Sequence, residues 1–495
     1  MGHFESCLLF PPNGGKERVS AGMINKGEDS MKGYLESIRD KAKRRGVQFM
    51  DVRLFEEDST TVMVQDRKAD KVSQGKSSSV GLRVLMDGAW GFASIDVVGS
   101  QSLDHCLQAA LEMAKASTVR LAHPGMVAEI QPVVDVVRVE VEKDPRSVAL
   151  EEKVKRVLDY EKAGMDCAQG KLCNTIVSYR DAWTHETICN TAGTLIEQET
   201  IRTAIQTAMT AVEGPVRQMA HEHFSEQVGF ELLDRISSKD FTEKAAQRAV
   251  SLLSARRAPS GKFPVVLHPS ITGLLVHEAL GHNAEADSVF NGKSIIEGKI
   301  GDPIASEHVT IMDDATIPRL NGSYRYDSEG VPGQKRILVE NGILKGYLHS
   351  LETAARFGVE PNGSARAMNG HCPPIVRMSN TFISPGELPF EEILKDMDEG
   401  IFMKGGHWGY VFSERGQYTC HSGEGWTIKN GQLGEHLRDV SFSGMTLETL
   451  MNIDAVSKDL EFLLPGRCGK SGQGMHINAG GPYVRVKEVV VGGQE

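Results

Sequence analysis

The spacing of apolar positions changes along the chain and divides it into three stretches. Over residues 31–45, Tyr34, Leu35, Ile38 and Ala42 recur at helical spacing and Gly46 marks a stop. Alternating patterns follow at 50–55, 60–65 and 79–86, and Asp87-Gly88 turns the last of these into a partner at 90–95. Leu103, Cys106, Leu107, Ala110 and Leu111 then mark a second helix, giving an α+β unit over residues 31–125. Leu150, Val154, Val157 and Leu158 predict a helix in the next stretch, and strands are predicted at 174–179, 195–200 and 203–212. A helix carrying Ala245, Ala249, Leu252 and Leu253 closes this second α+β unit, residues 126–258. Residues 256–261 read as a linker.

From residue 262 to 493 glycines multiply and strands dominate. Residues 265–267, 309–312, 336–339, 344–349 and 484–491 read as strands, with an Asn341-Gly342 turn between two of them. Residues 271–280 carry an apolar helical pattern. The fold class expected is α+β, with N-terminal mixed α/β units and a strand-rich C-terminal domain. No solenoid repeat is visible. Residues 1–30 read as a ragged leader, with Met31 as a second candidate start.

Composition narrows the setting. Of 495 residues, 40% are hydrophobic and 24% charged, the profile of a globular chain that needs neither disulfide nor metal to hold its cores. A bound metal would therefore be catalytic before it is structural. The net charge of −11 argues against a surface that grips nucleic acid directly, and the basic run Lys41–Arg45 reads as a solvated helix face. Eight cysteines are scattered without a CxxC, which favours a reducing, cytoplasmic setting; Cys167, Cys173 and Cys189 read as packed thiols. No apolar run reaches membrane-spanning length. Met1-Gly2-His3-Phe4-Glu5-Ser6 fits only the loose pattern for N-myristoylation.

The sharpest chemical signal is His277-Glu278-Ala279-Leu280-Gly281-His282. Two imidazoles can hold zinc, and an adjacent glutamate can take a proton from metal-bound water. With 16 His and 66 acidic residues, this pattern is expected by chance only ~0.07 times. Positions five apart fall about 140° apart on a regular helix, so both histidines reach one ion only through unwinding or a π-type turn. Gly281 is where such a distortion costs least. The plainer reading is a buried helix with two hydrogen-bonded histidines.

Cys468 lies in the glycine-rich stretch 466–474, read as a loop, where Arg467 and Lys470 would favour a thiolate; an incidental turn cysteine is the alternative. Cys420-His421 is the rival ligand pair. The Gly469-Lys470-Ser471 segment is not a phosphate loop, because Leu464 stands where the motif needs glycine and no helix follows. Glu285 and Asp287 are either partners orienting His282 or solvent-facing residues.

Four segments together resemble the TldD/PmbA family of modulator-of-gyrase peptidases, in its TldD-like branch. They are 277–282, Tyr326-Asp327-Ser328-Glu329-Gly330-Val331-Pro332, Asn341-Gly342-Ile343-Leu344-Lys345-Gly346 and Cys468-Gly469-Lys470-Ser471-Gly472-Gln473. The resemblance covers most of residues 33–493. It implies a metalloprotease domain over 262–493, zinc on His277, His282 and Cys468, and Glu278 as the catalytic residue. It also implies small or unfolded peptide substrates in a shielded cavity, and either a homodimer or a heterodimer with a PmbA-like homologue. Two features depart from the family pattern: the longer leader, and Met475-His476-Ile477-Asn478 in place of a Pro-rich stretch, which makes His476 an extra candidate ligand. The alternative is a non-catalytic, zinc-stabilised adaptor that binds peptides and modulates a topoisomerase or other partner, its metal closed by a fourth ligand from His476, Cys420 or His421.

Overall fold

The structure, a computed structural model, describes residues 28–492; the N-terminal leader up to residue 27, with its lipidation pattern and Cys7, lies outside the described residues. The chain opens with helix α1 (Glu28–Arg44) and the hairpin β1 (Phe49–Gln65) and β2 (Lys68–Met86), turned at Asp66 and Arg67 in the left-handed region. β3 (Ala89–Ile95) and α2 (Ser100–Ser117) follow, then β4 (Val134–Val137), α3 (Leu150–Cys167), β5 (Leu172–Asn190), β6 (Leu195–Glu213) and β7 (Val216–Glu226). All seven strands join one sheet, ordered β3-β2-β1-β5-β6-β4 with β7 also on β6.

Several of these strands are longer than their sequence pattern indicates. Residues 50–55 and 60–65 form a single strand, as do 195–200 and 203–212. Polar residues 56–59 break the alternation of β1, but β1 is paired on both sides and the charges there are met across the sheet. Glu57 pairs with Arg180 at 3.0 Å, Glu56 with His185 at 3.0 Å and Asp58 with Lys76 at 3.3 Å.

The sheet has one helical face and one polar face. Even-numbered β1 residues point to the helices: Val52 and Leu54 share a core with Leu35, Leu103 and Leu107, whereas Val62 and Val64 share another with Val157, Tyr160 and Phe241. Cys189 is packed and Cys167 partly so, but Cys173 is exposed, at the start of β5 before the strand enters the core. Odd-numbered Asp51 and Arg53 point instead to the C-terminal half, where Arg53 Nη2 donates to the carbonyl of Cys372 at 2.7 Å.

The C-terminal half holds two larger sheets and a two-stranded pair, Ala365–Arg366 with Ile375–Val376. One runs in the order Ile343–Leu344, Lys335–Glu340, Ile311–Asp314, Asn380–Ile383, Gln473–Gly481 and Glu461–Lys470. In the other, Glu399–Phe412, Gly261–Leu267, Val484–Gly492, Val440–Met445 and Gln417–Lys429 pair in sequence, and the last pairs back to the first. Helix Pro269–Val276, buried at every position, packs against strands of both sheets. Residues 256–257, read as linker, form a short strand. The expected strand 344–349 is confined to Ile343–Leu344, because the chain turns away to present Ser350 as the cap of helix Leu351–Phe357. Among the described residues no helix is long and apolar enough to cross a membrane.

A buried ion triad ties the N-terminal sheet to the C-terminal half. Arg83 donates to Asp51 Oδ2 at 2.5 Å and Glu329 Oε1 at 2.7 Å, and Glu329 Oε2 accepts from the Leu351 amide at 2.7 Å. Replacing Arg83 with alanine takes the shared cation from two buried carboxylates and leaves Asp51 only the longer contact with Arg53 at 3.7 Å. We expect the R83A variant to lose about 3–5 kcal/mol, read as a lowered urea midpoint.

Candidate metal centre

Helix Pro269–Val276 starts under its cap, His268, with proline in the first turn, and does not stop at its last residue. It widens over His277–Gly281 into a π-type turn, in which the His282 amide donates to the His277 carbonyl five residues back at 3.3 Å. The extra residue in the turn brings positions five apart onto one side. The two imidazole rings meet with centroids 5.1 Å apart and planes at 77°. Asn283 Nδ2 donates to the Ala279 carbonyl at 2.9 Å, which supplies that carbonyl with a partner where the regular ladder is broken. Gly281 is needed for a reason other than backbone freedom, since its φ is not positive. A Cβ there would lie 2.0 Å from Met378 Sδ, so glycine lets Met378 press against the turn.

Cys468 does not sit in a loop. It belongs to strand Glu461–Lys470, which turns at Ser471-Gly472, both in the left-handed region, and pairs with Gln473–Gly481. Its glycines are strand residues in a tight hairpin. Alternation sends Cys468 and its partner Met475 to one face of the hairpin, and Arg467 and its partner His476 to the other. On the first face Cys468 Sγ lies 3.4 Å from His282 Nε2, and one ligand atom from each of His277, His282 and Cys468 lies within 4.8 Å of the others. A tetrahedral zinc with Zn–S of about 2.3 Å and Zn–N of about 2.0 Å separates such atoms by roughly 3.5 Å. The donor set therefore fits zinc in kind and in spacing.

The electrostatics favour the ligating forms. Burial alone would raise the Cys468 thiol, yet the adjacent imidazoles of His282 and His277 bring it well below the usual thiol range. Arg467 and Lys470, expected to do this, are engaged elsewhere: Arg467 Nη2 donates to His476 Nε2 at 3.1 Å, and Lys470 Nζ donates to Asp287 at 2.6 Å and lies 3.3 Å from Glu285. Burial likewise opposes charge on His282, but Cys468 and then Glu285 raise its imidazole well above the usual value.

Glu285 is an orienting residue: buried, it meets His282 Nδ1 at 3.1 Å and so turns Nε2 towards the sulfur. Burial pushes its carboxyl up, but Lys470, His282 and Arg377 bring it down to about 2. Asp287 acts one step further out, through Lys470. Arg377, which the sequence did not single out, is fully buried; it donates to the Cys468 carbonyl and, at 2.9 Å, to that of Gln473, and lies 4.0 Å from Glu285. An arginine in an irregular segment carries no sequence signal for such a role, and neither does Met378.

Glu278 is half-buried beneath strand Glu399–Phe412: a Cβ on Gly409 would come within 2.7 Å of its Cγ and 3.3 Å of Cys420 Sγ. The rival ligands lie apart from the three donors. Cys420 is buried beside Glu278, its thiol pushed up by burial and by that carboxylate; His421 stacks on Trp408 at 3.8 Å; and His476 is on the far face of the hairpin. Among the described residues the cluster has three members.

Comparison with known proteins identifies the family. Residues 50–114, 143–253 and 260–493 match, in that order, PmbA/TldA metallopeptidase domain 1, the central domain and the C-terminal domain. The chain is 39% identical to a metalloprotease of Methanothermobacter thermautotrophicus over 93% of its own length and 98% of that protein's. It is 28% identical to a zinc metalloprotease TldD homolog of Saccharolobus solfataricus, over 92% and 98% of the two chains. Its fold is that of TldE from Thermococcus kodakarensis, with a TM-score of 0.74 at 17% identity over 93% of this chain and all (100%) of that one. The chain therefore belongs to the PmbA/TldD family of metallopeptidases.

Proposed function

We propose that the protein is a zinc-dependent peptidase acting on small or unfolded peptides, with His277, His282 and Cys468 as metal ligands and Glu278 as general base. The observation that carries this reading is a largely buried cluster of three donors, with no fourth protein ligand among the described residues, beside a half-exposed glutamate. A structural zinc site is closed by four protein ligands, whereas a catalytic one keeps a position open. This favours the peptidase over the adaptor.

Bound zinc would polarise the scissile carbonyl and lower the pKa of a water to about 7. Glu278 is the residue that would take a proton from the attacking water and return it to the departing amine. Glu285 holds the His282 ring in the tautomer that offers Nε2. Arg377 fixes the backbone on either side of the hairpin turn, so that Cys468 meets the imidazoles without searching. We further propose that the protein works in the cytoplasm, as a homodimer or with a PmbA-like homologue, in keeping with its free thiols.

In the E278Q variant zinc content should stay at the parent's level while cleavage of a mixture of unstructured peptides, read by mass spectrometry, is lost. Turnover retained by E278Q would remove Glu278 from the mechanism. Chelation should abolish cleavage by the parent, and added zinc should restore it. The E285Q variant should bind zinc about 10–100-fold more weakly in a competition titration with a chromogenic chelator, because the ring of His282 loses its ionic partner.

A further inference from the structure

The hairpin that carries Cys468 has a second chemical face. Arg467 and His476, paired across it, face away from the three donors towards the polar face of the N-terminal sheet. There Arg202 of β6 donates Nε to the Asn321 carbonyl at 3.2 Å and Nη2 to the Ser323 carbonyl at 3.5 Å. Asn321 Nδ2 in turn donates to the carbonyls of Gly466 and Ile477 at 2.9 Å each, the residues next to Arg467 and His476. Arg180 shares the Arg202 face, since Ala182 is opposite Arg202 and Arg180 opposite Ala204 in the β5–β6 register. Arg366 closes the group from behind, donating Nη1 to the His476 carbonyl at 2.7 Å.

Nearby carboxylates offset these guanidiniums only in part. Glu57 is committed to Arg180 at 3.0 Å, and Asp313, behind Arg366, is committed to Arg336 at 2.6 Å. Among the described residues no carboxylate pairs with Arg202 or Arg467, and Arg467 Nε is buried without any hydrogen-bond partner. The strain appears in Arg202 and His476. Burial and then the charges of Arg366 and Arg467 bring Arg202 down to about 9. Burial, then Arg467, Arg202, Arg366 and Arg180, hold His476 well below the usual imidazole range. Arg202, Arg467 and His476 nonetheless each keep part of their surface accessible, as residues lining a cleft do.

Like charges gathered between two layers, with a guanidinium nitrogen left unsatisfied, are stabilised by an anion that accepts several hydrogen bonds at once. We infer that the cleft between the polar face of the N-terminal sheet and the back of the Cys468 hairpin is an oxyanion-binding site formed by Arg202, Arg467 and His476. Two sources carry the required chemistry: a free phosphate-type anion, or a carboxylate of a peptide. The site is separate from the donor cluster, so it stands whether or not the peptidase reading holds.

The test is thermal unfolding and calorimetric titration of the full chain at low ionic strength. Inorganic phosphate should raise the unfolding temperature saturably, and sodium chloride at matched ionic strength should not reproduce the shift. A short peptide with a free C-terminal carboxylate, set against its C-terminal amide, distinguishes the second source. Response to phosphate alone assigns a free anion; response to the acid peptide but not the amide assigns a peptide carboxylate. The R202Q variant should abolish the response and, by relieving repulsion, should unfold at or above the parent's anion-free temperature. The R467K variant keeps the charge but loses the planar fork, and should bind the anion about 10–100-fold more weakly. No saturable response to either probe, or an undiminished response in R202Q and R467K, would overturn the inference.

Discussion

A regular helix turns positions five apart away from each other, so His277 and His282 can serve one centre only where the helix takes up an extra residue. The hydrogen bond from the His282 amide to the His277 carbonyl is that extra residue made visible. A widened turn is less favourable than an α-helical one and needs support from outside. Met378 fills the space that a side chain at position 281 would occupy, and Asn283 supplies the Ala279 carbonyl with a donor. The third donor depends on the same region. Arg377, next to Met378 in sequence, grips the hairpin backbone at Cys468 and Gln473. One short segment thus sets the shape of the helical turn and the position of the strand opposite it.

The charges at the centre follow from that placement. A thiolate in a buried site would be disfavoured if it stood alone, and two imidazoles at its side reverse the balance. Glu285 adds a second negative charge, which Lys470 and Arg377 offset in part. The carboxylate orients the ring through Nδ1, on the opposite side from the nitrogen that meets the sulfur. This divides the work between neighbours on one face: the residues nearest the sulfur are imidazoles, and the cations lie one step further back.

What could be read from the sequence was what is local. The His277–His282 spacing demanded a distorted helix, and a π-type turn is there. The α+β class and the strand-rich C-terminal half were readable from period alone, and the family from four short segments. Strand lengths were not, because the charges of residues 56–59 look like a break until their partners on β2 and β5 are known. Cys468 was visible as chemistry but misplaced in a loop, since glycines that flatten a hairpin look the same as glycines that loosen a loop. Met378 and Arg377 come from about a hundred residues away from either ligand element and could be found only in three dimensions.

The polar face of the N-terminal sheet shows how strongly partners decide what a buried arginine is. Arg83 lies between Asp51 and Glu329, and its guanidinium is held above its ordinary value despite burial. Arg202, on the same sheet, is hydrogen-bonded among the described residues only to carbonyls, and burial and the charges of Arg366 and Arg467 outweigh Glu57 and bring it down to about 9. Neutral carbonyls satisfy hydrogen bonds but leave charge unbalanced, so the two residues differ in electrostatics more than in burial. The first arrangement is complete within the chain and works as a joint between the two halves. The second is complete only with an anion, and it lies against the back of the strand whose front presents Cys468.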